Sequence, residues 1–224
     1  MRLVKVITEL RFSGSLKLLR SYEDLHLAIL GQELKQPERW ITPGLTLEAK
    51  QKKLRTILEQ KRCAVDLEEV PNTGYCVQTI AGIFKKVDDI LSIPLLARIG
   101  VRTMWLEPFE GTFTDLLKVY KKSVLGSNIL CEQASDVGLV LDFVDGDYNV
   151  SLTTGPMEAQ QLKTQFLTFE QETIPNVFIF GNIDRATTNE TKYSNKFLNE
   201  FIQQGLGYGE EQAKTLIDIL GGKP

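Results

Sequence analysis

Val137 to Leu152 reads VGLVLDFVDGDYNVSL. Val137, Leu139, Leu141 and Phe143 alternate with their neighbours up to Asp145-Gly146-Asp147, and Tyr148, Val150 and Leu152 alternate beyond it. A period of two is that of a strand, because successive side chains point to opposite faces. An Asp-Gly pair between two such runs supplies the positive φ of a tight turn. The stretch predicts an antiparallel β-hairpin.

Upstream, Arg98 to Phe109 (RIGVRTMWLEPF) reads as a strand with Ile99, Val101, Thr103 and Trp105 on one face. Thr112 then caps a helix, with Asp115 three residues on and Phe113, Leu116, Leu117 and Tyr120 inward. Downstream, residues 156–172 fit neither period cleanly. Val177 to Asp184 (VFIFGNID) is apolar on both faces, the pattern of a central buried strand. Two helical patterns follow, around Phe197–Ile202 and Ala213–Leu220. Gly205, Gly207 and Gly209 are read as a loosened joint between them, and Gly221-Gly222 as the stop.

The first half reads in nearly the same order. Val4, Val6, Thr8, Leu10 and Phe12 take one face of an opening strand, and Leu3, Lys5, Ile7, Glu9 and Arg11 the other. Ser21 is the expected N-cap of a helix with Asp24 in the capping-box position, ending near Gly31 or running to Leu34 before Pro37. Pro43-Gly44 marks a turn, 52–60 is helix or strand, and Cys63, Val65 and Leu67 alternate as a strand. After Pro71-Asn-Thr-Gly74, Val77, Ile80, Phe84, Val87 and Leu91 fall at helical spacing, and Pro94 ends that helix. The fold class expected is α+β. Two tandem strand-helix-meander-helix units, about 1–95 and 96–224 of a single domain, form a largely antiparallel sheet with helices on one face.

Composition agrees. With 224 residues, 42% hydrophobic and 25% charged, the chain is long enough to bury a core without disulfide or metal staples. A net charge of -3 gives no general attraction to nucleic acid or anionic membrane, and Glu48, Glu59 and Asp66 sit in and beside the densest basic run, Lys50 to Arg62. The three cysteines, Cys63, Cys76 and Cys131, are odd in number and form no CxxC pair, so free thiols are expected. The opening residues alternate as a strand instead of forming a signal peptide's apolar run, and no stretch approaches ~18–20 apolar residues. A cytoplasmic location without membrane contact follows as an expectation.

Arg98-Ile99-Gly100-Val101-Arg102, entered from one helix and followed by another, resembles an RIGLRY-type strand found in a sporadically distributed family of uncharacterised bacterial proteins. Thr103-Met104 stands where that family has an aromatic residue and an asparagine, and Trp105 to Pro108 is foreign to its pattern. The resemblance implies a duplicated α+β fold, a bacterial source and mobile or defence-related gene neighbourhoods. It implies no established activity and no catalytic residues.

Candidate chemistry is sparse. Arg98 and Arg102 share a strand face with Gly100 between them, so two guanidinium groups over bare backbone would seat a phosphate or carboxylate, unless they bridge to acids on a neighbouring strand. Asp142, Asp145 and Asp147 crowd the hairpin but lack the spacing of a calcium loop, and read as a solvated turn. His26 is the sole histidine, which rules out zinc sites built on two histidines and leaves nucleophilic catalysis one helix-boundary residue. Gly205-Leu-Gly-Tyr-Gly209 follows a helix and lacks Lys-Ser/Thr, unlike a phosphate loop. Trp105 is expected in the core, and no cofactor is expected. The leading expectation is a non-enzymatic subunit that associates with another protein or with itself, through sheet edges or the apolar stripes of the C-terminal helices. A small-anion or nucleotide binder, or an enzyme acting on such a ligand, using Arg98 and Arg102 is the alternative.

Overall fold

The computed structural model describes residues 1–14, 17–31, 40–41, 44–124, 133–171 and 173–219. The first half runs β1 (Arg2–Phe12), α1 (Lys17–Arg20), α2 (Tyr22–Leu30), β2 (Trp40–Ile41), β3 (Gly44–Ala49), β4 (Leu54–Glu59), β5 (Arg62–Glu68) and α3 (Thr73–Leu91). The second runs β6 (Leu95–Pro108), α4 (Phe113–Val124), β7 (Leu139–Asp145), β8 (Tyr148–Glu158), α5 (Ala159–Gln165), β9 (Val177–Thr187), β10 (Thr191–Lys192) and α6 (Asn195–Ile219). Every described strand pairs antiparallel in one sheet of order β2-β3-β4-β5-β1-β6-β9-β8-β7, with β10 beside the start of β6. The α+β class is the one observed. The two halves meet at the β1–β6 seam, and on either side the strands succeed one another in mirrored order.

Local chemistry fixes several boundaries. The Asn72 side chain accepts from the Tyr75 amide at 2.8 Å and starts α3, and Ser92 ends it in the left-handed region at φ +56°. Thr112 and Asp115 exchange hydrogen bonds at 3.2 and 3.3 Å, a reciprocal cap for α4. Gly146 (φ +58°) is the first of two residues turning β7 into β8. Ser21 is different: it precedes α2 without a side-chain cap bond, because α1 abuts it and its amide bonds back to the Leu18 carbonyl.

The core lies between one sheet face and the helices. Val6, Leu10, Val65, Ile99 and Val101 are buried beneath α2, α3 and α6, and Leu116 and Tyr120 of α4 cover Val177 and Ile179 of β9. The register sets which residues face the helices. A bulge between Leu3 and Lys5 turns Val4 to the opposite face, where it packs with Met104, Leu106, Phe178 and Phe180, so strict alternation holds only from Lys5 onward. Helices on one face alone is therefore too simple. Leu162 of α5 joins that second cluster, so α5 and the chain after it roof one end of the other face.

The ambiguous segments resolve. Residues 54–59 are strand, because Leu54, Thr56 and Leu58 alternate inward opposite Leu67, Val65 and Cys63. Residues 156–158 finish β8, 159–165 form α5, and 166–171 are irregular. The C-terminal pair of helices is one 25-residue helix, α6. Its glycines are packing positions: a Cβ on Gly205 would lie 2.8 Å from Val101, and one on Gly209 3.1 Å from the Thr103 Cβ. Bare backbone lets α6 approach β6 closely. Its apolar stripe (Leu198, Phe201, Ile202, Leu206, Ala213, Leu216) is buried on its own sheet, so it is unavailable to a partner. Leu34, Pro37, Pro43 and Leu220 to Gly222 lie outside the described residues.

Candidate functional site

The sheet face opposite the main helices carries cations and carboxylates from neighbouring strands. Arg98 and Arg102 point there from β6, beside Glu9 and Arg11 of β1 and Asp184 of β9. Both arginines are engaged. Arg98 reaches Glu9 at 3.0 Å and Asp184 at 3.6 Å, and Arg102 reaches Asp184 at 2.9 Å. Glu9 is the hub, with Arg11 at 2.7 Å and Arg62 at 2.6 Å as well. Burial pulls the Glu9 carboxyl upward, but the Arg11 hydrogen bond and the charges of Arg62, Arg11 and Arg98 outweigh it and hold the carboxyl below its ordinary range. Arg98, Asp142, Asn149, Ser151 and Asp184 line an open cleft of about 370 Å³. Gly100 leaves the backbone between the arginines bare, since a Cβ there would come within 3.3 Å of the Arg98 guanidinium and of Ala186.

The other sequence candidates scatter. Asp142 faces the cleft, Asp145 lies on the opposite face near the Tyr208 hydroxyl, and Asp147 sits in the turn, so the three carboxylates diverge. His26 is half-buried on α2. Cys63 and Cys76 are buried and free, while Cys131 and the Trp40 side chain lie outside the described residues. Trp105 is in the core. The basic run disperses: Arg55 bonds Asp66 at 2.7 Å, Lys53 bonds the Glu170 carbonyl at 2.7 Å, and Arg62 turns to Glu9.

Two features escaped the sequence reading. The first is a buried ionic cluster. Lys5, 2% exposed, lies 2.9 Å from Asp66 and 3.0 Å from Glu68, and donates to the Phe166 carbonyl at 2.8 Å. Glu68 accepts the Thr168 and Phe169 amides at 2.7 and 3.2 Å, so residues 166–171 are strapped over the cluster. Lys5 and Glu68 were visible only as charged residues on strands; the register that pairs them is non-local. The group acts as a clamp, with Glu68 and Lys5 each bonded to the strap, although Asp66 Oδ1 is buried without a partner.

The second is the edge strand β7, last in the sheet order. Val140, Leu141, Phe143 and Val144 are 60%, 44%, 40% and 66% exposed. Its counterpart in the first half behaves differently. β3 stands three strands from the seam, as β7 does, and its Leu45 and Leu47 are 1% and 2% exposed because α2 lies over them and β2 pairs outside. In the second half α4 sits further in, over β8 and β9, where Tyr120 donates its hydroxyl to the Thr154 carbonyl at 2.9 Å. Among the described residues nothing pairs with or covers the outer side of β7. The sequence carries the signal, since Val140 and Val144 add apolar residues on the face opposite the inward series Leu139, Leu141, Phe143.

The chain matches no known family model and no curated protein. No helix among the described residues is long and apolar enough to cross a membrane.

Proposed function

We propose that this protein works by associating with another protein chain, as a subunit of a homo-oligomer or of a larger assembly, and that β7 is the contact. The supporting observation is the strand's apolar exposure on both faces at an open sheet edge. Unpaired edges template further pairing, and proteins that stay monomeric blunt them with short strands, proline, bulges or charges. β7 is seven residues long and carries two carboxylates, Asp142 in its middle and Asp145 at its end. The bacterial, mobile or defence-related setting implied by the family resemblance belongs to the same proposal. The test is capture of the tagged protein at moderate salt with nuclease, together with its mass in solution. Association predicts a stoichiometric protein partner or a self-complex, lost in Val144→Lys. A monomer with nothing retained refutes it.

A second reading rests on the cleft beside Arg98 and Arg102. Four guanidinium groups crowd Glu9 and Asp184, and Arg98 and Asp184 of that network also line the open hollow, with Asp142, Asn149 and Ser151. A phosphate- or carboxylate-bearing small molecule would bind there by displacing the internal carboxylates. Arg102→Ala, at a side chain 43% exposed, should abolish such binding without unfolding the protein. Unchanged titration of inorganic phosphate or a nucleotide against that variant removes the reading.

A further inference from the structure

Resting on the association reading, we propose that the occupant of the β7 edge is a second copy of this chain, paired antiparallel about a twofold axis through Asp142. The exposed apolar residues are arranged symmetrically around that position. Val140 and Val144 lie two residues either side of Asp142 on the helix-free face, and Leu141 and Phe143 lie one residue either side on the helix-bearing face. A twofold contact is isologous, so residue i of one copy meets residue j of its mate and j meets i. Centring on Asp142 sets Val140 against Val144 of the mate and Leu141 against Phe143. All four exposed apolar residues of each copy then face apolar partners. Moving the centre to Leu141 sets Val140 against Asp142, and moving it to Phe143 sets Leu141 against Asp145. The palindrome thus selects both the partner and the register, because an unrelated strand has no reason to match it.

Two further features follow. The paired edge is ~24 Å long at the usual rise per residue. Eight apolar side chains and one main-chain ladder make a contact at the small end of stable interfaces, so dissociation in the micromolar range is expected. The pairing also sets Asp142 opposite itself on the helix-free face. Like charges directly opposed weaken a strand pair, so Asp142 moderates the affinity, and Asp142→Asn should tighten the dimer by about two- to fivefold.

The experiment is sedimentation or light scattering of the full chain from low to high micromolar concentration, with cross-linking in a Cys131→Ser background. Cys63 and Cys76 are buried and do not compete. Opposed residues across a strand pair have Cβ atoms about 4.5–5.5 Å apart, within reach of a short thiol-to-thiol linker. A mixture of Val140→Cys and Val144→Cys chains should give a covalent dimer, and either alone should not. Asp142→Cys alone should cross-link to itself. Val144→Lys should shift wild-type dimer to monomer. A dimer that ignores Val144→Lys and fails to cross-link overturns this pairing but leaves association at another surface. A monomer that retains a different protein through β7 overturns self-pairing and keeps the association reading. A monomer that retains nothing overturns both.

Discussion

The three glycines in the middle of α6 allow a sharp test of how the helix lies on the sheet. Alanine in place of glycine inside a helix is worth about 1 kcal/mol from propensity alone. At Gly207 an added Cβ meets nothing within 4 Å, so Gly207→Ala should stabilise by about that amount. At Gly209 the same atom would lie 3.1 Å from both the Cβ and Cγ2 of Thr103 and closer still to its hydroxyl. Thr103 is fully buried on the central strand β6 and cannot swing into solvent. Overpacking of this kind costs roughly 1–3 kcal/mol, which cancels the propensity gain and leaves a net loss of up to about 2 kcal/mol. Gly205→Ala meets Val101 at 2.8 to 3.1 Å and should behave likewise. For a chain of this size each kcal/mol moves the melting temperature by about 2–4 °C. Thermal and urea unfolding followed by circular dichroism should therefore rank Gly207→Ala above wild type and the other two below it. Adding Thr103→Ala should recover part of the Gly209→Ala loss and none at Gly207, since only contacting residues couple. If all three alanine variants stabilise alike, the close approach of α6 to β6 is wrong and the glycines are a joint after all.

Lys5→Met leaves Glu68 in the interior without a cation and Asp66 with Arg55 alone, and should cost about 3–5 kcal/mol in urea unfolding, whereas Lys5→Arg should lose less. Glu9 has a depressed folded-state pKa, so its contribution is present above its unfolded value and fades as pH falls through the folded one. Glu9→Gln should flatten the stability curve in that acid range and change little its slope near neutrality. Burial pushes the Cys76 thiol up to about 12 and the Cys63 thiol higher still. In a Cys131→Ser variant neither should react with a thiol reagent at pH 8 until denaturant is added, and prompt labelling in the native state would contradict their burial.

What was legible in the sequence was whatever depends on neighbours within a few residues. The 137–152 hairpin carries its own turn chemistry at Gly146, and α3 and β6 carry unbroken periods, so these elements lie where the pattern put them. The Arg98 and Arg102 pair was also legible, together with its bridging to acids, because β-alternation places both on one face; that Glu9 and Asp184 supply the acids depends on strand order. The failures share a cause. Gly205 and Gly209 look like helix breakers until Val101 and Thr103, about a hundred residues earlier, are set against them, although their four-residue spacing already marks one helix face. Val4 departs from its strand's alternation because of a bulge that no local residue announces. The exposure of β7 depends on where α4 settles, and Tyr120 fixes that by bonding to β8.

The strap at 166–171 has a consequence for cooperativity. Its amides bind Glu68, its carbonyls bind Lys5 and Lys53, and all three of those residues belong to the first half while the strap belongs to the second. Neither half can loosen alone without exposing an ionic group that only the other half seals. A tandem architecture of this kind would otherwise be free to melt in two stages. The clamp ties the stages together, so heat should take the molecule apart in a single calorimetric transition whose van 't Hoff and measured enthalpies agree.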